Sequence, residues 1–153
     1  YAKVYGTHAK MARLAQTFGA GVAQDDTRVF AQFARSIIKG EDIVMHTKGE
    51  LCRSYCYTTD AIAAMLYILL RGKDGEAYNV ANETTYISIK DMATFLAETF
   101  NPRVKVVVEL KENMGYSPTT KLRLSTDKVR QLGWTPQYDL QEMFHRLIES
   151  LKQ

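Results

Sequence analysis

The chain is 153 residues long, and 46% of its residues are hydrophobic and 24% charged. These proportions are typical of one globular domain and exclude an intrinsically disordered chain. The net charge is only +3, and the 20 basic and 17 acidic residues are interleaved, so no basic run of the kind that binds nucleic acid is present. The longest apolar run, residues 61–70, is too short to span a bilayer, so we expect no membrane partner.

The N-terminal part of the chain predicts a helix end, a strand and a longer helix. Residues 1–5 have the pattern of a last helical turn, with a glycine after them as the C-cap. Residues 9–18 are expected to form one strand, which Gly19 and Gly21 end. A helix through residue 39 follows, because apolar residues recur there at helical spacing. Its N-cap candidates are Asp25, Asp26 and Thr27.

The middle of the chain predicts two short strands and then an apolar helix. The strands cover residues 43–46 and 53–57, and a turn at Gly49 lies between them. The apolar run 61–70 predicts the helix, and Asp60 is expected to be its N-cap.

The C-terminal half continues to alternate extended segments with helices. The predicted extended segments are residues 76–81, 104–110 and 121–124. The predicted helices are residues 89–100, 126–132 and 140–151, with Ser88, Ser125 and Asp139 as their N-caps. Because strands and helices alternate without long hairpins, we predict an α/β fold with mixed short strands, partly parallel pairing and about five helices.

The two cysteines are expected to be unpaired. Cys52 and Cys56 share one face of a predicted strand but lie about 13 Å apart, which is too far for a disulfide. They have no neighbouring histidine or further cysteine, so they also make a poor zinc site. Free thiols are typical of a reducing compartment, which predicts a cytoplasmic protein without a metal.

Two arginines are candidates for binding an anion. Arg13 lies within an apolar strand, where an unpaired charge is costly, so a structural ion pair is the favoured interpretation and a bound anion the alternative. Arg53 follows a glycine turn, and its planar guanidinium suits bidentate recognition of a phosphate, but a structural ion pair is again the favoured interpretation.

Other polar residues are expected to have structural roles. Asp60 is interpreted as a helix cap rather than as a catalytic carboxylate, and the amides of Asn79 and Asn82 are expected to hold loops. The Gly19-x-Gly21 pair is not a dinucleotide fingerprint, because Gln24 occupies the position of its third glycine. No catalytic Ser/His/Asp or Cys/His arrangement is identified.

Seven short motifs follow one another along nearly the whole chain. They are Tyr1-Ala-Lys-Val-Tyr-Gly6, Arg13-Leu-Ala-Gln-Thr-Phe-Gly19, Arg28-Val-Phe-x-x-Phe33, Ile43-Val-Met-His46 with Gly49 and Arg53, Tyr57-Thr-Thr-Asp60, Tyr78-Asn79-Val80 and Leu132-Gly133-Trp134-x-Pro136. In this order and spacing they resemble the NAD-dependent sugar epimerases and dehydratases, which are extended short-chain dehydrogenases.

This resemblance implies the C-terminal, substrate-binding part of a Rossmann-type enzyme. Residues 1–24 are then the last part of the Rossmann half, and residues 25–153 are the substrate lobe. The implied substrate is a nucleotide sugar or sugar phosphate. The implied cofactor of the intact enzyme is NAD, which this part alone is not expected to bind well.

The resemblance also assigns roles to individual positions. The implied substrate-binding residues are Arg13, Gln16, Thr17, Phe30, Met45, His46, Arg53 and Arg123. The implied NAD contacts are Leu14 and Gln16, and no catalytic residue or metal ligand is assigned. Four of these side chains are expected around one cleft, namely Arg13, Gln16, His46 and Arg53.

Two departures from the family pattern concern polar contacts. Gln16 stands where an asparagine is usual. A second phosphate-binding arginine is expected near residue 115, where Asn113-Met-Gly-Tyr116 stands instead. Lys121 or Arg123 is therefore expected to point toward the cleft in its place.

The family's chemical machinery is not identified in the chain. Neither the Gly-rich NAD fingerprint nor the Tyr-x-x-x-Lys pair is recognised, so the chain is predicted to be inactive by itself. Two alternatives stay open, a free-standing binding module for a sugar phosphate or nucleotide, and an interaction domain. The expected partners are the substrate, the missing N-terminal Rossmann half and further copies of the chain, which would associate through strand 9–18 or helix 29–38.

Overall fold

The computed structural model of the protein describes residues 2–111 and 121–153. Its helices are α1 (Ala2–Tyr5), α2 (Val29–Lys39), α3 (Thr58–Arg71), α4 (Ile89–Phe100), α5 (Asp127–Arg130) and α6 (Leu140–Leu151). Its strands are β1 (Met11–Leu14), β2 (Gln16–Phe18), β3 (Ile43–Met45), β4 (Cys52–Tyr57), β5 (Ala77–Val80), β6 (Asn82–Ser88) and β7 (Val106–Val108).

The chain divides into two compact units, each assembled from separate segments. The first unit holds Tyr1–Phe18, Ser54–Tyr86 and Arg123–Leu140. The second unit holds Gly19–Arg53, Ile87–Leu122 and Gln141–Gln153.

Parallel strand pairing organises the first unit. β1 pairs with β5 from Met11↔Ala77 to Leu14↔Val80, and β2 pairs with β4 starting at Gln16↔Tyr55. The predicted single strand 9–18 is therefore wrong in one respect, because the chain changes partners at Ala15. The amide of Ala15 still donates to the carbonyl of Val80 at 2.8 Å, and the next residue joins β4.

Helix α3 builds the core of the first unit. It buries Ala61, Ala64 and Ile68 against Tyr78 and Val80 of β5. Further buried members of this cluster are Cys56, Val129 and Trp134. Burial of apolar surface on this scale is the main stabilising contribution to such a unit.

The second unit packs helices on a short parallel pair of strands. β3 pairs with β7 from Ile43↔Val106 to Met45↔Val108, and α2 packs on β3 and on α4. The larger buried side chains of these helices are Phe30, Phe33 and Ile37 of α2, Met92 and Leu96 of α4, and Met143, Phe144, Leu147, Ile148 and Leu151 of α6.

One predicted helix cap is confirmed in full. The Ser88 hydroxyl accepts a hydrogen bond from the Asp91 amide at 3.0 Å and donates to the Asp91 carboxylate at 2.6 Å. The two bonds satisfy a free amide at the start of α4 and place a negative charge in its first turn.

Three other predicted caps are wrong by one to three residues. The N-cap of α2 is Arg28, because Asp26 accepts the Arg28 amide and forms a turn ahead of the helix. The N-cap of α3 is Tyr57, which leaves Asp60 inside the first turn. The N-cap of α5 is Thr126 rather than Ser125.

The predicted α/β class is confirmed. The registers of β1 with β5, β2 with β4 and β3 with β7 are all parallel. Strand β6 was not predicted, because its polar sequence Asn-Glu-Thr-Thr lacks an apolar alternation and its place beside β4 depends on tertiary pairing. None of the helices in residues 2–111 and 121–153 combines the length and apolarity needed to cross a bilayer.

Candidate functional site

The predicted substrate arginine Arg13 lies on an exposed strand. All four residues of β1 are exposed, and Arg13 makes no ion pair with any residue that the structure describes. The favoured structural ion pair is therefore not found. The reason is that β1 lies at the edge of its sheet, so the guanidinium reaches solvent instead of a buried acceptor.

Leu14 and Gln16, the two predicted NAD contacts, lie on either side of Ala15, where β1 ends and β2 begins. Leu14 ends β1 and is 46% exposed, while Gln16 is half-buried at the start of β2. Ligands of parallel α/β sheets bind beyond the carboxyl ends of the strands. An exposed apolar side chain at this end fits the face of a nicotinamide ring. The neighbouring Thr17 hydroxyl donates to the Ala15 carbonyl at 3.0 Å.

Two predicted substrate residues of the second unit belong to its core. Phe30 is 0% and Met45 is 4% exposed. The guanidinium carbon of Arg28 lies 4.7 Å from the centroid of the Phe30 ring. Both side chains are therefore packed in the core of the second unit and present almost no surface to a ligand.

His46 and Arg53 remain accessible in the same unit. The Nδ1 atom of His46 lies 3.2 Å from the carbonyl oxygen of Glu109, which ties His46 to the chain just after β7. Arg53 is half-buried on β4, and none of the described residues accepts a hydrogen bond from its guanidinium. A partly desolvated arginine without a protein acceptor is well suited to an anionic ligand.

Lys121 lies beside the first residue of β4. Lys121 forms a bridge with Cys52 and, together with Lys48 and Lys90, lines a surface pocket of about 400 Å³. Successive residues of a strand point to opposite faces, so Arg53 points away from this pocket. The expectation that Lys121 points toward the predicted cleft stays a prediction. Residues 113–116, where the second phosphate-binding arginine was expected, lie outside the described residues.

Arg123, the other proposed substitute, belongs to the first unit. Its guanidinium carbon lies 5.1 Å from the centroid of the Tyr86 ring. Arg13 and Gln16 also belong to the first unit, whereas His46 and Arg53 belong to the second. The expectation of one cleft around these four residues therefore stays a prediction.

Asp60 has a structural role other than the predicted cap. Asp60 is 3% exposed, and its carboxylate accepts hydrogen bonds from the amides of Gln137 at 3.0 Å and Tyr138 at 3.2 Å. The Asp60 carbonyl also accepts the indole N–H of Trp134 at 3.0 Å. Asp60 therefore fastens the segment 134–138 to α3.

The loop-holding role predicted for the two asparagines is confirmed. The amide of Asn79 donates to the Ser125 carbonyl at 3.0 Å, and that of Asn82 donates to the Tyr138 carbonyl at 2.8 Å.

One Tyr-x-x-x-Lys spacing does occur in the sequence, contrary to the expectation. It runs from Tyr86 to Lys90, but Tyr86 lies in β6 and Lys90 in the first turn of α4, on either side of the N-cap Ser88. A tyrosine and a lysine become neighbours on one surface when both stand on the same helix, one turn apart. This spacing is therefore a strand-to-helix junction and not a catalytic pair.

The first turn of α4 is occupied by protein acceptors. The amides of Ile89 and Lys90 donate to the carbonyls of Leu51 and Gly49, both at 3.0 Å. These two amides are therefore not available to a phosphate. The grouping of Lys48, Lys90 and Lys121 around the neighbouring pocket was not predicted from the sequence. Isolated lysines spaced far apart in sequence give no signal of this kind.

The cysteines carry no bridge, and burial raises the pKa of the Cys56 thiol to about 12. No group of three or more His, Cys, Asp or Glu side chains in the described part of the chain could hold a metal ion.

Comparison with known proteins identifies one family. The model of the NAD dependent epimerase/dehydratase family matches residues 1–81. UDP-glucuronic acid decarboxylase 5 of Arabidopsis thaliana is 27% identical over 142 residues, which cover 93% of this chain and 40% of that protein. The dTDP-D-glucose 4,6-dehydratase of Homo sapiens is 26% identical over 137 residues, covering 84% and 38%. The chain thus spans about two fifths of the length of these relatives.

Solved structures share the fold over 99% of this chain. UDP-glucose 4-epimerase from Thermotoga maritima, determined with UDP-glucose, matches with a TM-score of 0.84 at 24% identity and is covered over 48% of its length. dTDP-glucose 4,6-dehydratase from Bacillus anthracis, determined with NAD, matches with a TM-score of 0.79 at 15% identity and is covered over 47%. At these identities the likeness shows the common fold.

Proposed function

Because the chain belongs to the NAD dependent epimerase/dehydratase family, we propose that it is the C-terminal, substrate-binding part of a nucleotide-sugar enzyme. The observation that carries this proposal is Arg53. It is half-buried on β4, and no described residue accepts a hydrogen bond from it. The diphosphate of a nucleotide sugar supplies two acceptor oxygens in the geometry that an arginine fork prefers.

The substrate class follows from the relatives rather than from the site alone. The two curated relatives are named for UDP-glucuronic acid and dTDP-D-glucose, and one solved neighbour holds UDP-glucose. We therefore assign a nucleoside diphosphate sugar to this chain, with Arg53 on the phosphates and His46 beside the nucleotide. Arg13, Gln16 and Thr17 of the first unit are proposed to contact the sugar.

We propose NAD as the cofactor of the intact enzyme, where it accepts a hydride from the sugar. Leu14 and Gln16, at the carboxyl end of β1, are suited to contact only its nicotinamide end. Phosphate-binding glycines and a Tyr/Lys pair on one helix must come from a further portion, so this chain is inactive alone in our proposal. Isomerase or oxidoreductase activity therefore belongs to the assembled enzyme.

The proposed division of the chain follows the same logic. Residues 1–24 belong with the NAD-binding half, and residues 25–153 form the substrate lobe. The two free thiols, Cys52 and Cys56, fit a cytoplasmic location.

Binding of UDP-glucuronic acid and UDP-glucose to the purified chain, measured by calorimetry, tests this function. The Arg53→Ala variant should bind about 10- to 100-fold more weakly, since a hydrogen-bonded charge pair contributes about 1.5–3 kcal/mol. Arg103→Ala is the matched control, because Arg103 is an exposed arginine of the same unit on a turn between α4 and β7.

The outcomes separate the alternatives. Equal affinity of the Arg53→Ala variant and the wild type for the nucleotide sugar contradicts the assignment of Arg53. Binding of free nucleotide without any contribution from the sugar favours a simple nucleotide-binding module. Absence of binding to either ligand favours an interaction domain.

A further inference from the structure

Three lysines from separate segments of the second unit surround one pocket of about 400 Å³, which we call the lysine pocket. Lys48 lies in the turn before β4, Lys90 lies in the first turn of α4, and Lys121 forms a bridge with Cys52 at the start of β4. The other residues that line the pocket are Gly49, Glu50, Cys52, Ser88 and Asp91. The pocket volume is within the range of about 300–1,000 Å³ that is usual for small-molecule sites.

Main-chain hydrogen bonds hold the lysine-bearing segments together. The Lys90 amide donates to the Gly49 carbonyl at 3.0 Å, and the Leu122 amide donates to the Cys52 carbonyl at 3.3 Å. Gly49 has a φ of 68°, and a Cβ there would lie 2.8 Å from the Lys90 nitrogen, so this close contact requires glycine. The backbone therefore brings the three lysines together without any contact between their own side chains and a counterion.

None of these three lysine side chains forms an ion pair with a residue that the structure describes. Four other lysines do have a carboxylate partner, namely Lys10, Lys39, Lys128 and Lys152. Like charges that line one pocket without counterions repel one another, which costs free energy. An anion bound between them removes this cost, because the ammonium group of lysine binds anions as a point charge.

Two carboxylates also line the lysine pocket, and they oppose its positive charge unequally. The Asp91 carboxylate accepts the Ser88 hydroxyl at 2.6 Å and lies in the first turn of α4, where the helix dipole offsets a negative charge. Glu50 is exposed and forms no ion pair with a described residue, so it is the stronger opposing charge. With three positive and two negative side chains, the pocket keeps an excess of positive charge.

Arg53 does not belong to the lysine pocket. It follows Cys52 on β4, and successive residues of a strand point to opposite faces. The start of α4 supplies no donor either at the amides of Ile89 and Lys90, because both are bonded to carbonyls of the chain. The lysine ammonium groups are therefore the donors that this pocket offers to an anion.

We propose that the lysine pocket binds a small polyanion, that is, a phosphate or polycarboxylate compound with at least two negative charges. Each of the three ammonium groups can donate three hydrogen bonds to the charged groups of such a ligand. A single negative charge would leave two of the lysines without a counterion, so the pocket selects against monoanions. Nucleotide-sugar binding at Arg53 is not needed for this site.

The first experiment measures binding to the purified chain by calorimetry, with inorganic pyrophosphate, citrate and acetate as probes. Pyrophosphate or citrate should bind, and acetate should bind much more weakly. Tighter binding of pyrophosphate identifies the ligand class as phosphate compounds, and tighter binding of citrate identifies polycarboxylates.

A triple variant tests the three lysines directly. Lys48→Gln, Lys90→Gln and Lys121→Gln together should weaken polyanion binding by about 10-fold, because each exposed ion pair contributes only a small factor. The matched control changes net charge equally at three other exposed lysines that have no ion pair among the described residues. This control combines Lys73→Gln, Lys105→Gln and Lys111→Gln, and it should bind like the wild type.

A single variant should change the affinity in the opposite direction. Glu50→Gln removes the exposed opposing charge and should tighten polyanion binding by about 2- to 5-fold. Damage to the fold would weaken binding, so tighter binding cannot result from it. Weaker binding by Glu50→Gln contradicts the proposed electrostatics of the pocket.

The Cys52 thiol reports where the anion binds. Cys52 is a half-buried residue of the pocket, whereas Cys56 is 0% exposed and burial raises the pKa of its thiol to about 12. N-Ethylmaleimide should therefore modify Cys52 alone, because the thiolate is the reactive form. A saturating polyanion should protect Cys52, as measured by mass spectrometry, and the Arg53→Ala variant should keep this protection.

Four results overturn the polyanion site. They are the absence of binding of both polyanions to the wild type, acetate binding as tight as theirs, equal affinity of the triple pocket variant and the wild type, and equal weakening by the control triple variant. Protection of Cys52 that Arg53→Ala abolishes and the triple pocket variant retains also contradicts it, because the anion then lies at Arg53. Failure of nucleotide-sugar binding contradicts only the proposed function, in which the three lysines have no part.

Discussion

Asp60 shows how much one buried carboxylate can contribute without capping a helix. It accepts the amides of Gln137 and Tyr138 while its carbonyl holds Trp134, so three contacts converge on one residue. Asp60→Ala leaves both amides without their acceptor and should lower the free energy of unfolding by about 2–3 kcal/mol. Asp60→Asn keeps one acceptor oxygen and should cost less. Urea denaturation measures both, and equal stability of all three proteins would show that solvent replaces the carboxylate.

Glu83 should make stability depend on acidic pH. Its carboxylate accepts the amide of Thr126 at 2.8 Å and the hydroxyl of Thr126 at 2.6 Å, and these bonds hold the pKa of Glu83 below its ordinary value of 4.5. Because the folded pKa is depressed, the stabilisation is complete above that ordinary value and is lost as the pH falls through the folded pKa. Glu83→Gln should therefore flatten the acid limb of a plot of Tm against pH.

The control for this pH dependence is Glu98→Gln, which changes an exposed glutamate of α4. It should leave the acid limb close to that of the wild type. An equal flattening by both variants would assign the effect to net charge rather than to the contact between Glu83 and Thr126.

Single residues are also where sequence reasoning failed most. The apolar neighbours of Arg13 predicted a buried guanidinium, because local pattern cannot show that β1 has a partner on one side only. Phe30 matched a ligand-contacting position by motif, yet its place on the inner face of α2 puts it in the core. Strand pairing decided the environment of Arg13, whereas the helical spacing of apolar residues in α2 already favoured a core position for Phe30.

At the scale of elements, the turn before β4 packs closely against the start of α4, and the Lys90 amide donates a hydrogen bond to the Gly49 carbonyl. Gly49 has a φ of 68°, and a Cβ there would lie 2.8 Å from the backbone nitrogen of Lys90. Gly49→Ala should therefore both strain its backbone and displace α4. The variant should lose clearly more stability than the about 1–2 kcal/mol that a left-handed conformation alone costs.

Gly21→Ala is the matched control for this effect. Gly21 has a φ of 84°, and its added Cβ would meet nothing within 4 Å. Thermal unfolding of both variants separates backbone strain from steric contact. Equal losses of stability in the two variants would mean that α4 moves aside at no cost.

Caps show which elements local sequence can place. Ser88 and Asp91 satisfy each other within one turn, so their pattern alone located the start of α4. Asp26 instead bonds Arg28 in a turn before α2, and its carboxylate binds the Arg28 guanidinium as well. A short polar side chain suits both arrangements, so its presence predicts a boundary but not the capping residue.

For the molecule as a whole, the isolated chain should transfer no hydride. Incubation of the pure 153-residue protein with NAD and UDP-glucuronic acid should yield no NADH and no altered sugar. The reason is that its Tyr86 and Lys90 stand on a strand and a helix, not one turn apart on one helix. The complete UDP-glucuronic acid decarboxylase 5 of Arabidopsis thaliana, assayed under the same conditions, serves as the positive control. Turnover by the chain alone would contradict the proposed division of labour.

The class of the fold could be predicted because alternating strands and helices leave few arrangements. The family could be predicted because seven motifs keep one order. The strand pairings could not be predicted. Strand β6 is polar, and the chain leaves β5 at Ala15 because the following residues pair with β4 instead. Pairing depends on distant residues, which periodicity along the chain does not report.

The parallel registers also determine when the protein can fold. Met11 pairs with Ala77, Gln16 with Tyr55 and Ile43 with Val106, so all three of these parallel registers join strands that are distant in sequence. Each such pairing must first close a long loop, which slows folding. During synthesis β1 therefore waits without its partner until Val80 has left the ribosome. An unpaired strand is a template for pairing with other chains, so the nascent chain is exposed to aggregation for that interval.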